Sequence, residues 1–178
     1  MKTISIGGCA YRYQIDARMA CQVLALQQLL PSGMVVESLD WRHTSNLWQG
    51  RFTWLESKMK GSADYALSID SDTNFDAVMM REALRTADKT LTDVAMFIAP
   101  VVQGDGRSNL RHRTGHVMTD SEHACHSHTF AEIGAGGAAI SLFNLDVLRR
   151  IWTDGVRPTL GPWSTATEQW RGEDIALP

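Results

Sequence analysis

The chain has 178 residues, 44% of them hydrophobic, and 17 Lys and Arg against 20 Asp and Glu give a formal net charge of −3. A chain of this length can bury one sizeable core, and one domain spanning 1–178 is the expectation. The charge leaves no basic footprint of the kind that affinity for a polyanion needs, and no apolar run approaches the ~20 residues of a membrane-spanning helix.

The opening MKTISIGGCAYRYQ lacks the apolar run of a secretory signal, so a cytoplasmic protein is expected. Cys9, Cys21 and Cys125 are odd in number and widely spaced, which suits buried thiols in a reducing compartment better than a disulfide framework.

Residues 3 to 8, TISIGG, read as a short strand ending in glycines. The spacing of Met19, Val23, Leu26 and Leu30 predicts a helix over 16–30 with Asp16 as its N-cap. Pro31, Ser32 and Gly33 punctuate, MVVESL (34–39) reads as a second strand, and 44–61 reads as a second helix stopped by Gly61. The third strand is ADYALSID (63–70). A helix over about 75–88 follows, capped by Thr73 or Asn74, with Phe75, Val78, Met79 and Ala83 sharing a face.

DVAMFIAPVVQ (93–103) is a fourth apolar run rich in strand formers. From Gly104 to about Thr129 the chain turns polar and loses its periodicity, as a long functional loop would. FAEIGAGGAAISLF returns to strand-like composition around a glycine cluster, and NLDVLRRI (144–151) reads as a helix capped by Asn144. Strands alternating with helices, the strands nearly continuous in apolar residues, indicate an α/β, Rossmann-like domain with a central, mainly parallel sheet flanked by helices.

In such sheets ligands bind beyond the carboxyl ends of the strands. That rule draws attention to ALSIDSDTNFD (66–76), where Asp70 and Asp72 stand at the end of the third strand. Two carboxylates there are either solvated turn formers or ligands for something cationic. As ligands they suit a hard divalent cation, Mn²⁺ or Mg²⁺, that also takes oxygens from a diphosphate.

Other motifs compete. A phosphatase of the haloacid-dehalogenase type needs D-x-D-x-T near the first strand, whereas here Thr73 follows Asp72 directly and the motif lies on the third. The phosphate-binding pattern G-x-x-x-x-G-K-[ST] is absent. Gly134, Gly136 and Ala139 fit a dinucleotide fingerprint with Asp154 twenty residues on, but a helix must follow it and AAISLF reads as a strand. The glycines are better suited to close backbone approach to a ligand or a neighbouring segment.

His123, His126 and His128 beside Cys125 come from one segment only, unlike a structural zinc site, and read as a solvated loop. Arg107, Arg111 and Arg113 could grip phosphate oxygens, or be equally solvated. Trp41, Trp48 and Trp54 are explained by core packing, whereas Trp163 and Trp170 could stack on a sugar ring or anchor the C-terminal segment. Tyr11 and Tyr13 follow the first strand, where a uracil ring could stack. Near the end of the chain Glu173 and Asp174 form a second acidic pair, either a surface feature or a general base for an acceptor hydroxyl.

The succession ADYALSIDSDTNFD, AMFIAPVVQ, EIGAGGAAISLFNLDVLRRI and GED resembles the nucleotide-sugar-dependent glycosyltransferases of the GT-A fold, over residues 45 to 176. The resemblance implies a hexosyltransferase-like enzyme. In it Asp70 and Asp72 hold Mn²⁺ or Mg²⁺ and the diphosphate of a UDP-linked sugar donor, and Gly136 and Gly137 lie beside the sugar and acceptor. It implies further that Asp174, with Glu173, is the base of an inverting transfer, and that Arg51 is the arginine on the helix before the D-x-D strand. The chain departs from the family in carrying Phe52 where many relatives have Asn. The acceptor could be a saccharide, a lipid, a protein or a modified nucleic-acid base. A non-catalytic nucleotide-sugar-binding module and a sugar nucleotidyltransferase are the alternatives, with a nicotinamide-dependent oxidoreductase more distant.

Overall fold

A computed structural model describes residues 1–11, 14–44, 47–90, 96–98, 139–153, 163–164 and 169–170. The chain divides into two compact units, the first Met1–Phe97 with Ser141–Arg157 and the second Ile98–Ile140 with Pro158–Pro178. Within the second, Trp163 and Ser164 pair antiparallel with Trp170 and Gln169.

The first unit opens with strand β1 (Lys2–Tyr11), helix α1 (Ala17–Leu29), strand β2 (Met34–Thr44) and helix α2 (Leu47–Met59). Strand β3 (Tyr65–Ile69) and helix α3 (Ala77–Thr90) come next. Strand β4 (Met96–Ile98), strand β5 (Ile140–Asn144) and helix α4 (Leu145–Thr153) complete the series. The sheet order is β2-β1-β3-β5-β4. This is the α/β, Rossmann-like arrangement that the sequence predicts.

β1 is parallel to both β2 and β3, in registers that set Gly7 beside Asp40 and beside Ser68. The two crossovers leave β1 and β2 in opposite directions along the sheet, so right-handed connections place α1 and α2 on opposite faces. The amide of Leu145, just past β5, donates to the carbonyl of Asp64, just before β3, at 2.9 Å. β5 therefore leaves the sheet where β3 enters it, as an antiparallel neighbour does.

Side chains alternate across β1. Ile4 and Ile6 are fully buried, while Gly7 and Cys9 lie against α2 through Trp54 and Gly50. All five residues of β3 are buried, the pattern of a strand covered on both faces. α1 seats Met19, Val23 and Leu26 in the core and is capped by Asp16, whose Oδ1 accepts from the amides of Arg18 (2.8 Å) and Met19 (3.1 Å). Asn144 caps α4 in the same way, accepting from Asp146 and Val147.

Several expectations need correction. β2 runs on to Thr44, because its last residues pair with Gly8–Tyr11 of β1, and α2 starts only at Leu47. The cap of α3 is Asp76, whose Oδ1 accepts from the Met79 amide at 2.9 Å, and not Thr73 or Asn74. The buried stripe of α3 is Ala77, Met80, Leu84 and Ala87, and Val78 and Met79, expected on it, are 51% and 73% exposed. Of the three thiols, Cys9 is buried but Cys21 is exposed on α1, and Cys125 lies outside the described residues. No helix among the described residues is long and apolar enough to cross a membrane.

Candidate functional site

The carboxyl ends of β1, β2 and β3 come to one edge of the sheet because the three strands are parallel. Tyr11 is the last residue of β1 and pairs with Thr44 of β2. On the other side of β1 stands the end of β3, followed directly by Asp70. The amide of Thr73 donates to the carbonyl of Asp70 at 3.0 Å, closing a turn that carries Asp72 out to solvent. The carbonyl of Ser71 accepts from the amide of Asp16 at 2.7 Å, tying this turn to the start of α1.

Asp70 is held from the α2 side. Arg51 donates through Nη2 to Oδ2 at 2.5 Å and through Nε to Oδ1 at 3.2 Å, a fork that uses both carboxylate oxygens. The two side chains are only 18% and 19% exposed. Such a charge-assisted, bidentate pair is stronger than an ordinary surface ion pair.

Two glycines make that reach possible. A Cβ on Gly50 would lie 2.5 Å from Thr44 Cγ2 and 2.9 Å from Cys9 Sγ, so glycine lets α2 settle against β1 and β2 at the turn that bears Arg51. A Cβ on Gly8, at φ +148°, would lie 2.7 Å from the carbonyl oxygen of Ile69. The indole of Trp41, across the ladder from Gly8, donates to that same carbonyl at 2.9 Å. The backbone just before Asp70 is thereby fixed from β2, over a residue with no side chain.

Cys9 lies on the α2 side of β1. Burial pushes its thiol up to about 11; Arg51 and Arg42 nearby pull it down and Asp70 pushes it further up. It is an inert, protonated thiol at neutral pH.

Asp70, Asp72 and Arg51 are thus brought to one sheet edge, with the backbone of Tyr11 at the end of the neighbouring strand. Gly136, Gly137, Glu173 and Asp174 lie outside the described residues, as do the loop histidines and arginines. Gly50 and Arg42 carry no expectation from the sequence, and Trp41, read there as core packing, is half-buried and ties the end of β2 to Ile69. The signal for Gly50 was available: glycine inside a helix costs ~1 kcal/mol against Ala, so one placed directly before a key arginine marks a close approach.

No family model matches the chain, and no curated protein matches it significantly. Among solved structures, it is similar to 4-diphosphocytidyl-2C-methyl-D-erythritol synthase from Anaerococcus prevotii, with a TM-score of 0.45 and 10% identity over 86% of this chain and 76% of that one.

The donor set at the sheet edge has the chemistry for a hard cation. Asp70 and Asp72 offer oxygen only, which suits Mg²⁺ or Mn²⁺ and not a soft metal. No group of three or more His, Cys, Asp or Glu stands ready for a metal among the described residues, so these two would share the cation with oxygens of a ligand or water. Mg²⁺ in particular keeps much of its shell for phosphates and water.

Proposed function

We propose that the chain is a metal-dependent glycosyltransferase, moving a sugar from a nucleoside-diphosphate sugar, UDP-linked, to an acceptor hydroxyl. The observation that carries this reading is the position of Asp70 and Asp72 at the carboxyl edge of a central parallel strand, with the guanidinium of Arg51 on Asp70. A cationic fork next to a pair of carboxylates offers both halves of a diphosphate site: metal ligands and a direct phosphate donor.

In this reading Asp70 and Asp72 hold Mn²⁺ or Mg²⁺, whose contribution is to offset the charge of the departing nucleoside diphosphate. Arg51 donates to phosphate oxygens, and Tyr11, the last residue of β1, is the residue assigned to the nucleoside. The bond from the anomeric carbon to the diphosphate oxygen breaks, and the bond to the acceptor oxygen forms. In an inverting transfer Asp174, with Glu173, takes the acceptor proton, and Gly136 and Gly137 let backbone approach the sugar. In a retaining transfer that base has no role.

The test is a screen of UDP-sugars with the wild-type protein and Asp72→Asn, reading release of UDP with Mn²⁺ present or chelated. Release of UDP by the wild type, dependent on metal and reduced at least about 100-fold in the variant, is expected, since a step that loses several kcal/mol of charge stabilisation slows by orders of magnitude. Binding of UDP-sugars with no release would mark a binding module. Release of pyrophosphate from a nucleoside triphosphate and a sugar phosphate would mark a nucleotidyltransferase.

A further inference from the structure

The fork between Arg51 and Asp70 occupies the oxygens that a metal would need. Arg51 uses Nη2 on Oδ2 at 2.5 Å and Nε on Oδ1 at 3.2 Å, leaving neither oxygen of Asp70 uncommitted. Asp72, by contrast, is exposed and makes no side-chain hydrogen bond to a described residue. A divalent cation arriving alone therefore meets one open carboxylate and one already neutralised by a guanidinium.

Taking Asp70 away from Arg51 has a consequence for Arg51. Both side chains are more than four-fifths shielded from water, so giving up this charge-assisted fork carries a cost for Arg51. The cost falls if something else with two anionic oxygens in a plane accepts the fork. A diphosphate group is such an acceptor, and it is also a metal ligand.

We infer that Arg51 is a competitor of the divalent cation for Asp70, and that a nucleoside diphosphate relieves the competition by taking over the guanidinium, so that cation and nucleotide bind cooperatively. This rests on the diphosphate-site reading proposed above. The arginine fork is then a guard: it holds Asp70 neutralised until a ligand that can satisfy Arg51 is present. Because coupling between sites is reciprocal, whatever the nucleotide adds to cation affinity, the cation adds to nucleotide affinity.

The geometry of α2 supports a guard of fixed position. Gly50 lets the helix sit against Thr44 and Cys9, where a Cβ would clash, so Arg51 projects from a backbone packed onto the sheet. The Trp41 indole fixes the carbonyl of Ile69, the residue before Asp70. Donor and acceptor of the fork are thus both mounted on packed elements, and exchange of partners involves the side chain of Arg51 and not a loop.

The experiment is a Mn²⁺ titration followed by the electron paramagnetic resonance signal of the free ion, with and without UDP, with the Mn²⁺–UDP complex in buffer accounted for. Wild type, Arg51→Gln, Arg51→Lys and Asp70→Asn are compared, each checked for folding by circular dichroism. Wild type is expected to bind Mn²⁺ at least about 5-fold more tightly with UDP than without, the low end of typical couplings. Arg51→Gln is expected to bind Mn²⁺ more tightly than wild type when UDP is absent, and to lose the tightening by UDP. Arg51→Lys, which keeps the charge without the fork, is expected to fall between them and carries the test if the glutamine variant does not fold.

If wild type binds Mn²⁺ through Asp70 but both Arg51 variants bind it equally or more weakly without UDP, the competition is overturned while the metal site survives. If wild type binds neither Mn²⁺ nor UDP under any condition, the diphosphate-site reading falls and the guard falls with it.

Discussion

Gly50 shows how one absent side chain sets a site. Its Cβ position meets Thr44 Cγ2, Thr44 Cβ and Cys9 Sγ at 2.5, 2.8 and 2.9 Å, all distances that a real Cβ does not tolerate. Gly50→Ala gains about 1 kcal/mol of helix propensity but overpacks the joint between α2 and β1, at a typical cost of 1–3 kcal/mol. A net loss of stability is therefore expected, measured as a lower urea midpoint with an unchanged slope. A second residue, Tyr65, reports on pH. Its hydroxyl donates to Asp88 Oδ1 at 3.1 Å and accepts from Lys2 Nζ at 3.3 Å, while Lys2 donates to the same Oδ1 at 2.6 Å. Burial raises the Tyr65 phenol from its ordinary 10.0, against the opposing pull of Lys2, and the hydrogen bond to Asp88 raises Lys2 from 10.5. Both groups hold their protons more tightly in the folded chain, so what they contribute is fully present below about pH 10 and is lost as pH rises further. Unfolding in urea across pH 9 to 11 should show that fall, and Tyr65→Phe should make it shallower; an equally steep fall in the variant would remove Tyr65 from the account.

At the scale of elements, α4 is fastened to α2 by one arginine. Arg149 donates through Nε to the carbonyl of Met59 at 2.9 Å, and through Nη2 to those of Gly61 (2.9 Å) and Ala63 (2.8 Å). These are the carbonyls at and just past the C-terminus of α2, which have no partner within the helix. Phe52 and Trp152 pack beside this joint with ring centroids 5.4 Å apart. Arg149→Ala is expected to lower stability by about 1–3 kcal/mol in urea unfolding, with Arg149→Lys recovering only part because an ammonium lacks the fork. The fastening joins residues some ninety positions apart, which is why no local pattern announces it. By contrast Asp16 and Asn144 were legible as caps, since a cap is a contact with the next two or three residues. Asp76 was missed because Thr73, Asn74 and Asp76 are all competent caps, and the buried face was missed because Val78 and Met79 are apolar yet lie on the solvent side. The end of β2 was missed because Trp41–Thr44 look like a polar loop, and only pairing with the end of β1 makes them a strand. In the site, the placement of Asp70 and Asp72 was legible from the apolar run that precedes them. The fork from Arg51 was not, because it depends on how closely a helix lies on a sheet.

For the whole molecule, the parallel β2-β1-β3 core explains why a single edge collects the residues of interest. Each strand of the three contributes its carboxyl end there: β1 and β2 end paired at Tyr11 and Thr44, and the end of β3 is held twice, Ile69 by Trp41 and Asp70 by Arg51. An edge of this kind is where open α/β sheets take their ligands. What distinguishes the nucleotide-sugar reading from a mere acidic turn is whether Asp70 and Asp72 act on a diphosphate together with a metal. The decisive measurement is a calorimetric titration of UDP into wild type, Asp70→Asn and Asp72→Asn, with and without Mn²⁺. The account predicts that wild type binds UDP only weakly without Mn²⁺ and at least about tenfold more tightly with it, and that both variants lose the gain. If UDP binds equally with and without Mn²⁺, or if neither substitution changes its affinity, Asp70 and Asp72 are turn residues and the proposed metal-dependent transfer is contradicted.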